Sequence, residues 1–331
     1  MPPIPAPPPL PLLRRRSCLM LAAAALMSAC TAPPPRFQGS FLQPWKSHES
    51  LSLDEWRRRL RITRALGCDE IVLQWSALYG GAFDWAPPDG LLAMLFEEAA
   101  REGMGIRMGL PYDEGWWKAM GSKDPAVLQS LLATARDRCQ RFMESAPWPK
   151  RQGFRGWYLP YEIDQYNWAT VERRQQLVDW LDGIATVARR TGGLPLAVST
   201  FFSRLPTEGS LAELWSRILD RVPLRPMLQD GVGVGGMDNL AGLEPLRALL
   251  RRRGVAFDLV VELFEQLPAA PGGEEGFKAR AATPERVRRQ MEIARGYGAE
   301  RVIAFAIDPW MVGDTPEAKR LLRDLMEKPP L

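Results

Sequence analysis

From residue 37 onward, short apolar segments rich in β-branched and aromatic residues alternate with longer segments of helical periodicity, eight pairs in all. That alternation predicts a parallel sheet clothed in helices, because consecutive parallel strands need a crossover between them. The strand-like segments are Gly39–Trp45, Glu70–Trp75, Ile106–Asp113, Trp157–Gln165, Leu196–Phe202, Pro226–Val234, Leu259–Phe264 and Val302–Trp310. Helix starts fall between them: Ser52 with Glu55 as a capping box, Asp124-Pro125, Thr170, Thr283-Pro284-Glu285 and Thr315-Pro316-Glu317. Gly67, Gly192-Gly193 and Gly254 read as helix stops. Eight such units over residues 37–331 predict a single (β/α)₈ TIM barrel, a fold of about 250 residues plus insertions. A doubly wound sheet would show a glycine-rich phosphate turn after its first strand, and Ser40–Trp45 carries none. The glycine-rich Gly231–Gly236 comes late, without a lysine, and reads as a barrel loop.

The start of the chain stands apart from this pattern. Arg14, Arg15 and Arg16 precede the apolar run Cys18–Met27, too short to span a bilayer and of the length of a signal-peptide core. Met27-Ser28-Ala29-Cys30 is similar to the lipobox of bacterial lipoproteins. This predicts a signal peptide over residues 1–29, diacylation at Cys30, and a stiff proline-rich tether over 30–36. The expected location is the periplasm, anchored to a bacterial membrane, the outer membrane by preference. Three of the four net positive charges belong to the arginine triplet, leaving +1 for the rest, so no electrostatic case for nucleic acid exists. After lipidation only Cys68 and Cys139 remain, able to pair in an oxidising compartment or to stay as buried thiols. His48 is the single histidine, which argues against histidine-based zinc sites and against a Ser-His-Asp triad.

In a barrel of this kind the active site lies at the C-terminal ends of the strands. The residues closing these strands are strongly biased: Gln43 and Trp45, Gln74 and Trp75, Tyr112 and Asp113, Tyr161, Glu162 and Asp164, Ser199, Gln229 and Asp230, Glu262 and Glu265, Asp308 and Trp310. Amides and carboxylates exchange hydrogen bonds with hydroxyls, and indole faces stack on sugar rings, so this is the composition of a carbohydrate site. Trp56, Trp180 and Trp215 fall on helices and are expected to pack against the barrel. Strand alternation puts Glu162 and Asp164 on one face of the fourth strand, and the seventh repeats the carboxylate tip with Glu262 and Glu265. Fourth and seventh strands lie across the mouth from each other. Glu162 and Glu262 are therefore candidates for the two carboxyls of glycoside hydrolysis, one protonated and one ionised, with Glu265 the alternative second acid.

Phe41–Trp45, Asp69–Trp75, Tyr161–Asp164, Gln229–Gly233 and Glu262–Phe264, taken in order, resemble a bacterial family of TIM-barrel proteins grouped with glycoside hydrolases, domain-of-unknown-function family 4434. The layout is also similar to the large glycosidase clan with its acid/base on strand four and nucleophile on strand seven. That resemblance implies Glu162 as acid/base, Glu262 as nucleophile and Trp310 as the strand-eight tryptophan. The clan's Asn before the strand-four Glu is replaced here by Tyr161. The expected function is hydrolysis of a polysaccharide or oligosaccharide without a cofactor; the alternatives are a non-catalytic carbohydrate-binding lipoprotein and a carboxylate-metal hydrolase.

Overall fold

The structure, a computed structural model, describes residues 36–268 and 277–327. The expected signal peptide and Cys30 lie outside the described residues. Eight parallel strands, β1 Gly39–Leu42, β2 Glu70–Leu73, β3 Gly105–Gly109, β4 Phe154–Ile163, β5 Leu196–Thr200, β6 Leu224–Gln229, β7 Asp258–Glu262 and β8 Arg301–Phe305, close into a barrel in chain order. β8 pairs with β1 through Gly39–Ile303 and Ser40–Ala304. The main helices are α1 Leu53–Ala65, α2 Asp89–Arg101, α3 Pro125–Ser145, α4 Val171–Gly192, α5 Leu211–Leu219, α6 Asn239–Arg253, α7 Pro284–Gly296 and α8 Pro316–Glu327. The (β/α)₈ barrel expected from the alternation is the observed fold.

The helix starts read from the sequence act as caps, for the reason those residue types are favoured there: a side-chain oxygen satisfies a free backbone N–H. Ser52, Asp124, Thr170, Thr283 and Thr315 each accept from the backbone two or three residues on. The expected capping box at Ser52 is half made, because Glu55 turns to Arg58 and Arg59.

The strand ends are shorter than the sequence suggests. β3 stops at Gly109; beyond Pro111, which has no N–H for the ladder, Tyr112–Asp113 pairs instead with Leu78–Tyr79. β6 stops at Gln229, since Gly231 adopts a left-handed conformation (φ 64°) that opens a single helical turn, Val232–Gly235. β8 stops at Phe305, before a turn at Ile307–Trp310. These truncations convert the predicted strand tips into loops over the mouth.

Alternation along the strands sorts side chains into an outer and an inner set. Leu42, Leu73, Met108, Trp157, Leu159, Val198, Leu228, Val261 and Ala304 face the helices, joined there by Trp56, Trp180 and Trp215 as expected. Phe41, Val72, Tyr158, Ala197, Met227, Val260 and Ile303 fill the barrel's centre. Below them, at the N-terminal end, lies a charged layer. Arg107 Nε donates to Glu70 Oε1 at 2.7 Å, Arg225 Nε donates to Asp258 Oδ2 at 2.8 Å, and Arg301 Nη1 stands 3.5 Å from Glu70 Oε2. Cys68 and Cys139 are buried and unpaired, and burial pushes both thiols up, which keeps them protonated.

Candidate active site

At the C-terminal end the inner face of the barrel changes from apolar to polar. Tyr158 marks the boundary: it belongs to the central layer, yet its hydroxyl shares a hydrogen bond of 2.9 Å with Ser199 Oγ. Four residues further along the strand, on the same face, stands Glu162, partly open to the mouth. Its Oε1 accepts from Gln229 Nε2 at 2.6 Å, a bond that favours the ionised carboxylate. Burial is the larger influence and raises its pKa, with the charge of Asp164 acting in the same direction. The phenols of Tyr158 and Tyr112 are pushed up by burial and by Glu162's charge, so both remain neutral.

Across the mouth, Glu262 closes β7 and is buried. Its Oε2 accepts from Gly233 N at 2.7 Å. Glycine is required at 233, because a Cβ there would lie 2.5 Å from Phe264 O and 2.9 Å from Glu262 Oε2. Burial pushes the Glu262 carboxyl up to about 8, reinforced by the negative charges of Asp230 and Glu162 and opposed by Gly233 N–H. Asp230 lies behind it, outside the mouth. Its Oδ1 accepts from Val232 N (3.1 Å) and Glu262 N (3.3 Å), and its Oδ2 from Gln290 Nε2 (2.7 Å). Three donors hold Asp230 as the ionised member of this pair, so the proton rests on Glu262. Arg286 Nη2 braces the same segment by donating to the carbonyls of Glu262 (2.8 Å) and Phe264 (2.6 Å).

Glu162, Gln229 and Glu262 meet in a single cavity of about 380 Å³, completed by the loops after β5 and β6. The remaining predicted residues are distributed differently. Trp45, Trp75 and Tyr112 form an aromatic stack on the β1–β3 side: Trp45 meets Trp75 edge-on at 4.9 Å, and Trp75 lies over Tyr112 at 6.3 Å. Trp45 is 43% exposed, whereas Trp75 is buried and donates Nε1 to Pro44 O. Gln43 follows β1 half-buried, Gln74 follows β2 buried, and Trp310 rests on Phe264 at 5.8 Å. Each of the other acids has at least one oxygen taken by a protein donor. Asp164 turns the chain after β4 through Tyr166 N, Asn167 N and Asn167 Nδ2. Asp113 takes Gly115 N and Arg138, Asp308 takes Arg59, and Glu265 pairs with Arg280 on a hairpin beyond the barrel. Between Glu262 and Glu265, it is Glu262 that lines the cavity. Tyr161 points outward onto Trp116 and Trp180, its hydroxyl accepting from Asp113 N at 3.0 Å. His48 is buried beside Trp56, its Nδ1 accepting from Trp45 N, and burial lowers its pKa.

Several residues of the site were not legible in the sequence. Phe202, Ser203, Arg204 and Asn239 line the cavity, and Arg286 and Gln290 brace its wall from α7. Phe201-Phe202 at the end of a strand-like run was a visible signal; a loop arginine, a helix-start asparagine and two helix-face polar residues were not distinguishable from others of their kind. Among the described residues no group of three or more His, Cys, Asp or Glu is placed to hold a metal ion.

The profile of a family described as a domain of unknown function (DUF4434) matches residues 37–320. YbcH, an uncharacterised protein of Escherichia coli (strain K12), is 26% identical over 199 residues, which are 60% of this chain and 66% of that protein, just under two thirds of its length. Among solved structures, the "putative alpha-L-fucosidase" of Bacteroides thetaiotaomicron superposes with a TM-score of 0.67 at 17% identity, covering 89% of this chain and 93% of that one. The beta-galactosidase of Marinomonas ef1 gives 0.59 at 11% identity, covering 87% and 58%. These likenesses show the TIM-barrel fold.

Proposed function

This chain belongs to the DUF4434 family, and we propose that its barrel hydrolyses a glycosidic bond in an oligosaccharide or polysaccharide, with Glu162 and Glu262 as the working carboxyls. The observation that carries this reading is their convergence, from opposite sides of the mouth, on one cavity in which, among the described residues, no arginine or lysine pairs with either carboxyl. Two carboxyls that share a pocket cannot both ionise freely, so the pair holds one proton near neutral pH. Glu262, more deeply buried and facing Asp230, carries that proton; Glu162, held by the Gln229 amide, is the ionised partner. Glu262 then protonates the leaving oxygen, and Glu162 acts on the anomeric carbon or on the water that attacks it. This reverses the roles implied by position in the larger clan. The exposed rings of Trp45 and Trp117, 43% and 44% accessible on the loops after β1 and β3, support a substrate several sugars long.

The test compares oligosaccharides with aryl glycosides whose leaving group needs no proton. Glu262→Gln is expected to lose roughly 10²–10⁴-fold on oligosaccharides and far less on dinitrophenyl glycosides, whereas Glu162→Gln loses activity on both. The opposite pattern returns the acid role to Glu162. Wild-type activity in both variants sinks the pair, and calorimetric binding of saccharides without turnover favours the non-catalytic reading.

The lipobox-like Met27-Ser28-Ala29-Cys30 supports an anchored enzyme acting in the periplasm. Metabolic labelling with a palmitate analogue is expected to mark the wild-type protein in membranes; equal labelling of Cys30→Ser would remove the anchor from this account.

A further inference from the structure

Among the described residues the cavity is lined by one cationic side chain, Arg204, and none of their carboxylates pairs with it. Arg59, Arg138, Arg225 and Arg280, which also reach loops or ends of the barrel, each grip a carboxylate. Arg204, on the loop after β5, instead donates its Nε to Asn239 Oδ1 at 3.3 Å, and among the described residues no carboxylate pairs with it. The amide that receives it is itself fixed: Asn239 is buried, and its Nδ2 donates to Asp230 O at 3.0 Å, on the segment that carries the wall of the acid pair. Gly235 leaves the room for this contact, since a Cβ there would lie 3.0 Å from Asn239 Oδ1 and 3.2 Å from Arg204 Nε. The guanidinium is thus steered by a buried amide, while among the described residues no group takes its terminal nitrogens.

The two glutamates are bonded elsewhere: Glu162 accepts from Gln229 Nε2 and Glu262 from Gly233 N–H. Apolar Phe201, Phe202 and Val234 line the same cavity. The pocket therefore brings together two carboxyls, apolar surface, and an exposed guanidinium with no carboxylate partner among the described residues. With Nε engaged by Asn239, the remaining Nη1/Nη2 edge of the planar guanidinium matches a carboxylate bidentately.

We infer that the sugar bound in this cavity carries an acidic group, a hexuronic acid whose carboxylate Arg204 receives. The inference rests on the cavity being a saccharide site. It places the preference in Arg204 rather than in Glu162 or Glu262, so the two can be tested apart. A charge-assisted bond of this kind supports a preference of about 10- to 100-fold over the uncharged sugar.

The measurement is calorimetric binding to the full chain carrying Glu162→Gln and Glu262→Gln, which cannot turn over on the proposed mechanism. The probes are oligosaccharides from alginate, polygalacturonate and hyaluronan, each beside its carboxyl-reduced counterpart, with a sulfated neutral oligosaccharide as a further arm. At least one acidic probe is expected to bind about 10- to 100-fold more tightly than its reduced form. Adding Arg204→Gln should abolish that difference, and Arg204→Lys should retain part of it. Equal binding of acidic and reduced forms, no binding of any acidic probe, stronger binding of the sulfate ester than of every uronate, or a preference that survives Arg204→Gln would each overturn the inference. Hydrolysis of a neutral glycan by the wild type, with no acidic preference, would defeat this inference and leave the hydrolase reading standing; acidic preference without any turnover would do the reverse.

Discussion

Both ends of this barrel bury carboxylates, and they treat them in opposite ways. At the N-terminal end, Glu70 and Asp258 are almost completely sealed, and burial raises the pKa of both, but each has a guanidinium at hydrogen-bond distance that pulls the other way. At the C-terminal end, Glu162 and Glu262 meet an amide and a backbone N–H, and their nearest charges include other acids. A buried acid with a matched arginine belongs to the fold's internal wiring. A buried acid among like charges is held in a state it would leave in water, and such groups gather at sites that do chemistry. The contrast follows the general division of labour in these barrels, stability below and reaction above.

The comparison is broken most severely from below. Arg225→Met leaves Asp258 without its partner in a sealed layer and is expected to cost about 3–5 kcal/mol, read as a shift in the urea midpoint, while the folded fraction keeps its specific activity. A loss of activity per folded molecule, with stability intact, would show the two ends to be coupled. Gly233→Ala acts on the upper end with a smaller effect: the added Cβ, 2.5 Å from Phe264 O, forces the 233 backbone away from Glu262. About tenfold is expected to be lost from kcat/KM, the equivalent of one hydrogen bond to a charged or proton-sharing group, and pH–rate profiles should show the alkaline limb moving up. The smallest effect is on stability. Glu262's pKa is raised on folding from 4.5 to about 8, so the folded state keeps a proton that the unfolded state releases, and stability declines as pH rises across that window. Glu262→Gln removes this decline. Asp230, raised from 3.8 to about 6, leaves a residual slope confined to lower pH. Urea midpoints should therefore fall less between pH 6 and 8 in the variant than in the wild type; parallel curves would mean that Glu262 is not the proton carrier.

How the residues sort into these two ends was only half readable from the chain. Glu162 and Glu262 were identifiable because each closes an apolar run, and alternation places them inward beside Tyr158 and Val260. The same rule made Asp164 look like Glu162's companion on one face. It is not, because β4 ends at Ile163 and the chain turns there, folding Asp164 onto the Tyr166 and Asn167 N–H groups. Asp230 fails for a related reason: β6 ends one residue before it, and the left-handed turn at Gly231 points its carboxylate to Gln290 on α7. Period-two reasoning holds as far as the ladder does and not one residue further.

What the sequence determined by itself is the architecture and the two carboxyl positions. Eight repeats of strand and helix, punctuated by Ser, Thr and Asp caps and glycine stops, admit one closed parallel solution, since capping and alternation are local properties written in adjacent residues. The tertiary structure alone decided which acids are free. Whether a carboxylate meets Arg107, Arg225 or only Gln229 depends on contacts between residues 37, 33 or 67 positions apart in the chain, and no local pattern encodes them. The same holds for Arg204, one arginine among many until Asn239 and Gly235 are brought beside it at the mouth of the barrel.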